Sequence, residues 1–263
     1  IIIPHFQRWE CLILFLESIP VDSNGLNVEI IIVDDASKTD ASKVEFLSIL
    51  ENVNRPWLKL QFFQILKNSG APHCRNFGFD KAKGRYIHFL DSDDRVIWQN
   101  YFSVINKVKT RSSNASAFIS GKNFFINPKQ ILGSSYIASF NWVGPLSGVL
   151  FVRNSIENTR FDESFESAQD WAFYVECYKN NGFDFEMADQ HFYLYTISND
   201  SITLNNRKFL NGRLKFYYKY IANKNVFKQA TFFSGLIIFS FRRRMFKELN
   251  MFSTLHAVHF SNF

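Results

Sequence analysis

Cysteine is scarce in this chain. Cys11, Cys74 and Cys177 stand far apart among 263 residues, with no C-x-x-C pair. An odd, scattered set supports neither a disulfide framework nor a zinc site, and it fits a reducing compartment. Long apolar runs are also missing. The longest, 232–241, is interrupted by Ser and Gly and falls short of the ~18–20 residues of a membrane span. No internal repeat is evident. No secretory leader is evident either, but the chain opens in Ile1-Ile2-Ile3-Pro4 without a Met, so that absence carries little weight.

What is present is ordinary globular composition, 46% hydrophobic and 21% charged, enough for one large domain or a domain with an appendage. Aromatic residues reach 17%, with 31 Phe. Most of these are expected in a core, and the remainder could form a sticky surface or a stacking platform for sugars. The net charge of +6 suits anionic partners, whether sugar nucleotides, nucleic acid or acidic lipid headgroups, without choosing among them.

The first half alternates strand and helix signals. Apolar or β-branched runs at 1–4, 28–33, 58–66 and 86–90 read as strands. Helices are predicted at 9–19, 41–50, 72–83 and 97–109. The third has Pro72 in its first turn and Gly84 just past its end. Strands separated by helices of this length imply βαβ units and a mostly parallel sheet. After Arg111 the rhythm changes. Short strands are expected at 117–120, 122–126, 148–152, 183–187 and 192–197, with a polar loop around 127–135 and a helix at 169–180. From Arg207 the chain reads as helical. The softest boundary is the polar stretch 198–206, which suggests a domain over 1–205 and an extension over 206–263.

Four segments carry candidate chemistry. The most informative is Asp91-Ser92-Asp93-Asp94, three carboxylates in four residues directly after a predicted buried strand. Ligands of open α/β sheets bind beyond the carboxyl ends of the strands. Carboxylates clustered there repel one another unless a cation joins them, and hard divalent ions take such oxygens while bridging to substrate phosphates. Asp34-Asp35 ends the second strand, where a carboxylate could hold a base imide or a ribose hydroxyl; an Asp/Ser helix cap would look the same. In the third, 67–76, a Gly-containing turn enters a helix that carries Arg75, a phosphate-friendly arrangement or simply a loop with a surface Arg. The fourth is Gln169-Asp170-Trp171. Asp170 in the first turn of a helix could act as a general base or merely complement the helix dipole.

Taken in order, Ile-Ile-Ile-Pro, Val-Asp-Asp-Ala-Ser, Asn-x-Gly-x-x-x-x-Arg-Asn, Phe-Leu-Asp-Ser-Asp-Asp and a late Gln-Asp-Trp resemble the inverting GT-A glycosyltransferases of family 2, of the bacterial capsule and lipopolysaccharide type. The resemblance covers roughly residues 1–205. It implies a GT-A fold, α/β and Rossmann-like, with a mostly parallel central sheet flanked by helices; the tail reads as a C-terminal helical extension. It also implies roles. Pro4, Asp34 and Asp35 would line the nucleotide base pocket. Arg75 would reach the base or diphosphate, and Asp91 the ribose or the metal. Asp93, assisted by Asp91 and Asp94, would ligate Mn²⁺ or Mg²⁺. Asp170 would deprotonate the acceptor. His191 is a weak candidate for a further metal ligand.

The implied activity is transfer of a hexosyl or N-acetylhexosaminyl group from a nucleotide sugar, UDP by resemblance, to a glycan or lipid-linked acceptor in surface polysaccharide synthesis. The implied place is the cytoplasm, with possible peripheral contact at the inner face of the membrane. Two departures stand out. Gln169 replaces the usual Glu before the base, and His5-Phe6-Gln7 replaces the usual Thr-Tyr-Asn after the first Pro. The first keeps a second reading open, a non-catalytic module of the same fold that binds nucleotide sugar or glycan. A nucleotidyltransferase is disfavoured because His5-Phe6-Gln7-Arg8-Trp9 is not a Gly-rich triphosphate loop. The basic, aromatic tail fits either an anionic membrane surface or packing on the domain; no motif supports nucleic-acid binding.

Overall fold

The computed structural model describes residues 1–110, 115–121, 141, 143–181, 183–196, 205–223, 229 and 232–234. The expected strand at 122–126, the polar loop at 127–135 and most of the tail beyond 223 lie outside the described residues.

The first half contains β1 (Ile2–His5), α1 (Trp9–Glu17), β2 (Val28–Asp34), α2 (Ala41–Asn52), β3 (Leu58–Gln64), α3 (Ala71–Lys81), β4 (Tyr86–His88), β5 (Arg95–Val96) and α4 (Trp98–Thr110). The second half contains β6 (Ala117–Ile119), a 3-10 turn (Leu146–Gly148), β7 (Val149–Val152), α5 (Arg153–Ile156), α6 (Gln169–Asn181), β8 (Phe185–Met187), β9 (Tyr193–Leu194), α7 (Asn206–Phe216) and one π-helical turn (Tyr217–Ile221).

β1, β2 and β3 form a parallel sheet in the order β1-β2-β3. A single parallel bridge between Ile2 and Phe89 joins it to a second group, β4-β7-β6-β8. Across this seam Leu90 N–H donates to the Ile2 carbonyl at 3.0 Å. β7 runs antiparallel to both β4 and β6, whereas β8 is parallel to β6. The sheet is therefore mostly parallel, as expected, with one reversed strand that periodicity alone does not reveal. A two-residue ribbon pairs β5 with β9, in place of the longer strand expected at 192–197.

The residues of β2 alternate between the two faces of the sheet. Ile31 and Val33 join a cluster with Phe89, Phe151 and Phe173, while Ile30 and Ile32 join one with Phe102, Phe118 and Leu150. Burial on both faces explains why this strand reads as an unbroken β-branched run. Among the described residues most Phe is core: the largest fully buried side chains include Phe46, Phe89, Phe102 and Phe118. α4 buries Trp98, Tyr101, Phe102, Ile105 and Val108, the stripe of an amphipathic helix. Asp40 caps α2 by accepting from the Lys43 N–H at 3.0 Å. α3 lies close on β1 because position 78 has no side chain; a Cβ there would come within 2.5 Å of Ile2 Cγ2.

The tail begins as part of this body. α7 and the turn after it bury Phe209, Leu210, Phe216, Tyr217, Tyr220 and Ile221 in the cluster that holds α6. Phe216 stacks on Trp171 with ring centroids 3.8 Å apart.

Candidate active site

The strand ends β1, β2 and β4 deliver three loops to one edge of the sheet, and α3 and α6 bring Arg75 and Asp170 to them. Arg75 connects the set. It is only 5% exposed. Its Nη2 donates to Asp91 Oδ1 at 2.6 Å and its Nη1 donates to Gln169 Oε1 at 2.7 Å. One buried guanidinium thus links the acidic loop after β4 to the residue that precedes Asp170.

The acidic loop is pinned at its base. The Asp91 N–H donates to Ser147 Oγ at 3.0 Å, and the Ser147 carbonyl accepts from the buried His88 ring at 2.8 Å. Asp93 pairs with Arg8 from the loop after β1. Asp94 takes another course. It is buried, its Oδ1 accepts from the Thr196 N–H at 2.8 Å, and burial pushes its carboxyl up to about 7. It sits in the interior of the loop, close enough for the charges of Asp91 and Asp93 to add to that rise.

The pair after β2 divides in the same manner. Asp34, expected in the base pocket, is fully buried; it accepts from Gln64 Nε2 at 2.9 Å and lies 4.0 Å from His5. Consecutive strand residues face opposite ways, and Asp35 faces the turn before α3. Its two carboxylate oxygens accept from the Ser69 and Gly70 N–H groups at 2.7 and 2.8 Å. Pro4 is buried in β1, opposite Val33. His5 is also buried, lies tilted against Trp9 with ring centroids 4.3 Å apart, and has its pKa driven down to about 3 by burial first and then by Arg8.

Asp170 opens α6 after a strained turn in which Ala168 has φ +59, a conformation unusual for a non-glycine residue. It is half-buried. Asn141 Nδ2 donates to its Oδ2 at 3.0 Å. Burial raises its pKa and the charge of Arg213 opposes that rise. A carboxylate so placed binds a proton more strongly than an ordinary aspartate. Arg213 lies on α7, its guanidinium 4.5 Å over the Trp171 ring. α7 also grips the turn itself: Ser167 Oγ donates to the Lys208 carbonyl at 2.7 Å, and Gly212 lies against Ser167. His191 lays its ring against Gly121, where a Cβ would come within 1.9 Å of it.

Asn141, Arg8 and Arg213 were not candidates from sequence. Asn141 sits in an irregular stretch, Arg8 within an unremarkable first loop, and Arg213 in a tail whose register with α6 is set only by packing.

Among the described residues no three His, Cys, Asp or Glu side chains form a metal-holding group. The donor chemistry nonetheless fits a divalent ion. Asp91 and Asp93 offer hard carboxylate oxygens two residues apart, and each already meets a cationic group, Arg75 or Arg8. Mg²⁺ commonly needs only one or two carboxylates together with substrate phosphates and water.

Known proteins share both the fold and the sequence. S. aureus TarS (residues 1–349), solved in complex with UDP-GlcNAc, has a TM-score of 0.59 at 16% identity, over 87% of this chain and 68% of that one. Mannosyltransferase PcManGT from Pyrobaculum calidifontis, solved with GDP-Man and Mn²⁺, has a TM-score of 0.60 at 16% identity, over 85% and 64%. At these identities the likeness establishes the GT-A fold. A Campylobacter jejuni GalNAc(5)-diNAcBac-PP-undecaprenol beta-1,3-glucosyltransferase is 26% identical over 78% of this chain and 66% of its own length. A Rickettsia felis uncharacterized glycosyltransferase is 30% identical over 72% and 32%. The chain thus spans between a third and two thirds of the length of these relatives. Residues 1–131 match the model of Glycosyl transferase family 2, and the chain belongs to that family.

Proposed function

We propose that the protein transfers a hexosyl or N-acetylhexosaminyl group, with inversion, from a UDP-sugar to a glycan or lipid-linked acceptor in surface polysaccharide synthesis. One observation carries this reading. Arg75 bonds both Asp91 of the acidic loop and Gln169 beside Asp170, so one side chain ties a donor-type site to a base-type carboxylate. The Campylobacter jejuni relative, a glucosyltransferase acting on an undecaprenol-linked glycan, supports the substrate class.

In this reading Asp91 and Asp93 would hold Mn²⁺ or Mg²⁺, with Arg75 adding a fixed positive charge. The metal, when bound, supplies Lewis-acid stabilisation of the departing diphosphate. Asp35 and the turn it fixes border the nucleotide. Asp170, oriented by Asn141, takes the proton of the acceptor hydroxyl as that oxygen attacks the anomeric carbon from the face opposite the diphosphate. The sugar passes through an oxocarbenium-like state, and a single displacement inverts its configuration. Asp94 and Asp34 keep the two loops in shape from inside.

Residues 1–205 then form the transfer unit, and α7 of the extension braces the base. No helix among the described residues is long and apolar enough to cross a membrane. The Lys, Arg and Phe content of 224–263 suits peripheral contact with an anionic surface; equal liposome flotation with and without those residues would exclude it.

The primary test is calorimetric titration of UDP, GDP, CDP and dTDP with and without Mn²⁺, on the wild type and Asp93→Asn. Metal-dependent binding of UDP that is lost in the variant supports the donor site. Absence of all nucleotide binding refutes it.

A further inference from the structure

Gln169 departs from the Glu usual at this place, and its surroundings give that departure a physical reason. Its amide is used at both ends. Oε1 accepts from Arg75 Nη1 at 2.7 Å, while Nε2 donates to the carbonyls of Phe165 and Glu166, each at 3.1 Å. A carboxylate could take the Arg75 bond but has no proton for the two carbonyls, and its second oxygen would face them with like partial charge. Only an amide serves both directions.

The two directions lead to different places. Toward the sheet, the Arg75 guanidinium is buried and bonded to Asp91, and its Nε has no hydrogen-bond partner among the described residues. One side chain therefore contacts both Asp91 and Gln169. Toward α6, the two carbonyls belong to the turn 165–168, whose last residue, Ala168, keeps its left-handed backbone at φ +59. Strain of this kind persists where surrounding bonds over-determine it. Here those bonds are the two from Gln169 on the inner side and Ser167 Oγ to the Lys208 carbonyl on the outer side. The turn leads directly into Asp170.

Building on the donor-site reading above, we infer that Gln169 is a positioning residue that couples occupancy of the nucleotide site to the turn presenting Asp170. The relay runs from Asp91 through Arg75 and Gln169 to the carbonyls of Phe165 and Glu166. A diphosphate drawing on Asp91 and Arg75 changes the pull on the Gln169 amide, and the turn tightens or loosens with it. Proton abstraction is thereby prepared when a donor is present.

Hydrogen exchange on the full chain with and without UDP and Mn²⁺ tests this. In the wild type, UDP should slow exchange both at 89–96 and at 164–172, although the second segment holds no group assigned to the nucleotide. In Gln169→Met, of similar length and apolar at its end, UDP affinity should stay within about threefold. Protection at 89–96 should persist and the change at 164–172 should vanish. Turnover should fall on the order of 10–100-fold at unchanged donor KM, the signature of a misplaced base. Gln169→Glu, which keeps the Arg75 contact, should uncouple the segments in the same way; it also serves if the Met variant does not fold. UDP-dependent protection of 164–172 that survives in the folded variants, or that is missing in the wild type while 89–96 responds, overturns the relay and leaves the donor site standing. No response to UDP at either segment refutes the donor site, and the relay with it.

Discussion

Gly212 brings the extension against the turn before Asp170, and replacing it with Ala has a calculable outcome. In an isolated helix the change is favourable, since Ala exceeds Gly by about 1 kcal/mol in helix propensity. The structure opposes it. A Cβ at 212 would lie 2.0 Å from Ser167 Oγ, 2.7 Å from the Ser167 carbonyl oxygen and 2.9 Å from its carbon. The hydroxyl can rotate away, but that breaks its bond to the Lys208 carbonyl, worth about 1 kcal/mol. The backbone atoms cannot rotate, so α7 or the turn must move, and overpacking of this kind costs about 1–3 kcal/mol. The net is a loss of about 1–3 kcal/mol. A chain of this size loses about 2–4 °C of Tm per kcal/mol, so thermal unfolding followed by circular dichroism should show Tm lower by several degrees. Adding Ser167→Ala removes the closest atom but neither backbone atom, so the double variant should recover only part of the loss. A Tm equal to or above wild type in Gly212→Ala, or full recovery in the double variant, would refute the close-approach reasoning.

Three further outcomes are expected. Asp170→Asn should abolish most turnover while UDP binding by calorimetry stays near wild type; wild-type turnover would remove Asp170 from the role of base. Arg8→Ala frees Asp93 of a competing guanidinium and should tighten Mn²⁺ binding in the presence of UDP by up to about fivefold, the equivalent of roughly 1 kcal/mol for a partly exposed pair. Weaker Mn²⁺ binding would instead mean that Arg8 serves the ligand. His88 is buried with its pKa lowered to about 4, chiefly by burial. Its neutral form is the one that folds, so its contribution is intact above the unfolded value of about 6.5 and is lost as pH falls from there toward about 4. Denaturant titrations across pH 7 to 4 should show a shallower decline for His88→Gln than for the wild type, and parallel curves would contradict this.

Much of the fold was legible because local chemistry and burial agree in the first half. β2 is a β-branched run buried on both faces, α3 carries its Pro in the first turn, and α4 shows its apolar stripe in sequence. The acidic loop was legible for the same reason, because it follows a buried strand directly. What could not be read is which way each acid faces. Asp34 and Asp35 are neighbours in sequence and look equivalent there, but the pleat turns the first into the interior. Asp94 looks like Asp91 and Asp93 in sequence, but it is buried and the Thr196 N–H, 102 residues away, holds one of its oxygens. The bonds of Asn141 to Asp170 and of Arg8 to Asp93 likewise join segments far apart in the chain, and no local pattern announces them. The reversed β7 was hidden for a related reason: a short apolar strand carries no mark of its direction.

The seam between Ile2 and Phe89 bears on how such chains diversify. Each half-sheet is internally zipped by several backbone bonds, whereas across the seam the pairing narrows to one bridge. Strand pairing at the junction therefore demands little of either side, and α3, seated over β1 at Gly78, supplies much of the fit through side-chain shape. Mutations that remodel β6 to β8 and the loops around them leave the β1–β3 ladder unbroken. A lineage built this way can remodel the loops beside β6 to β8 while Asp35 and the turn it fixes stay as they are.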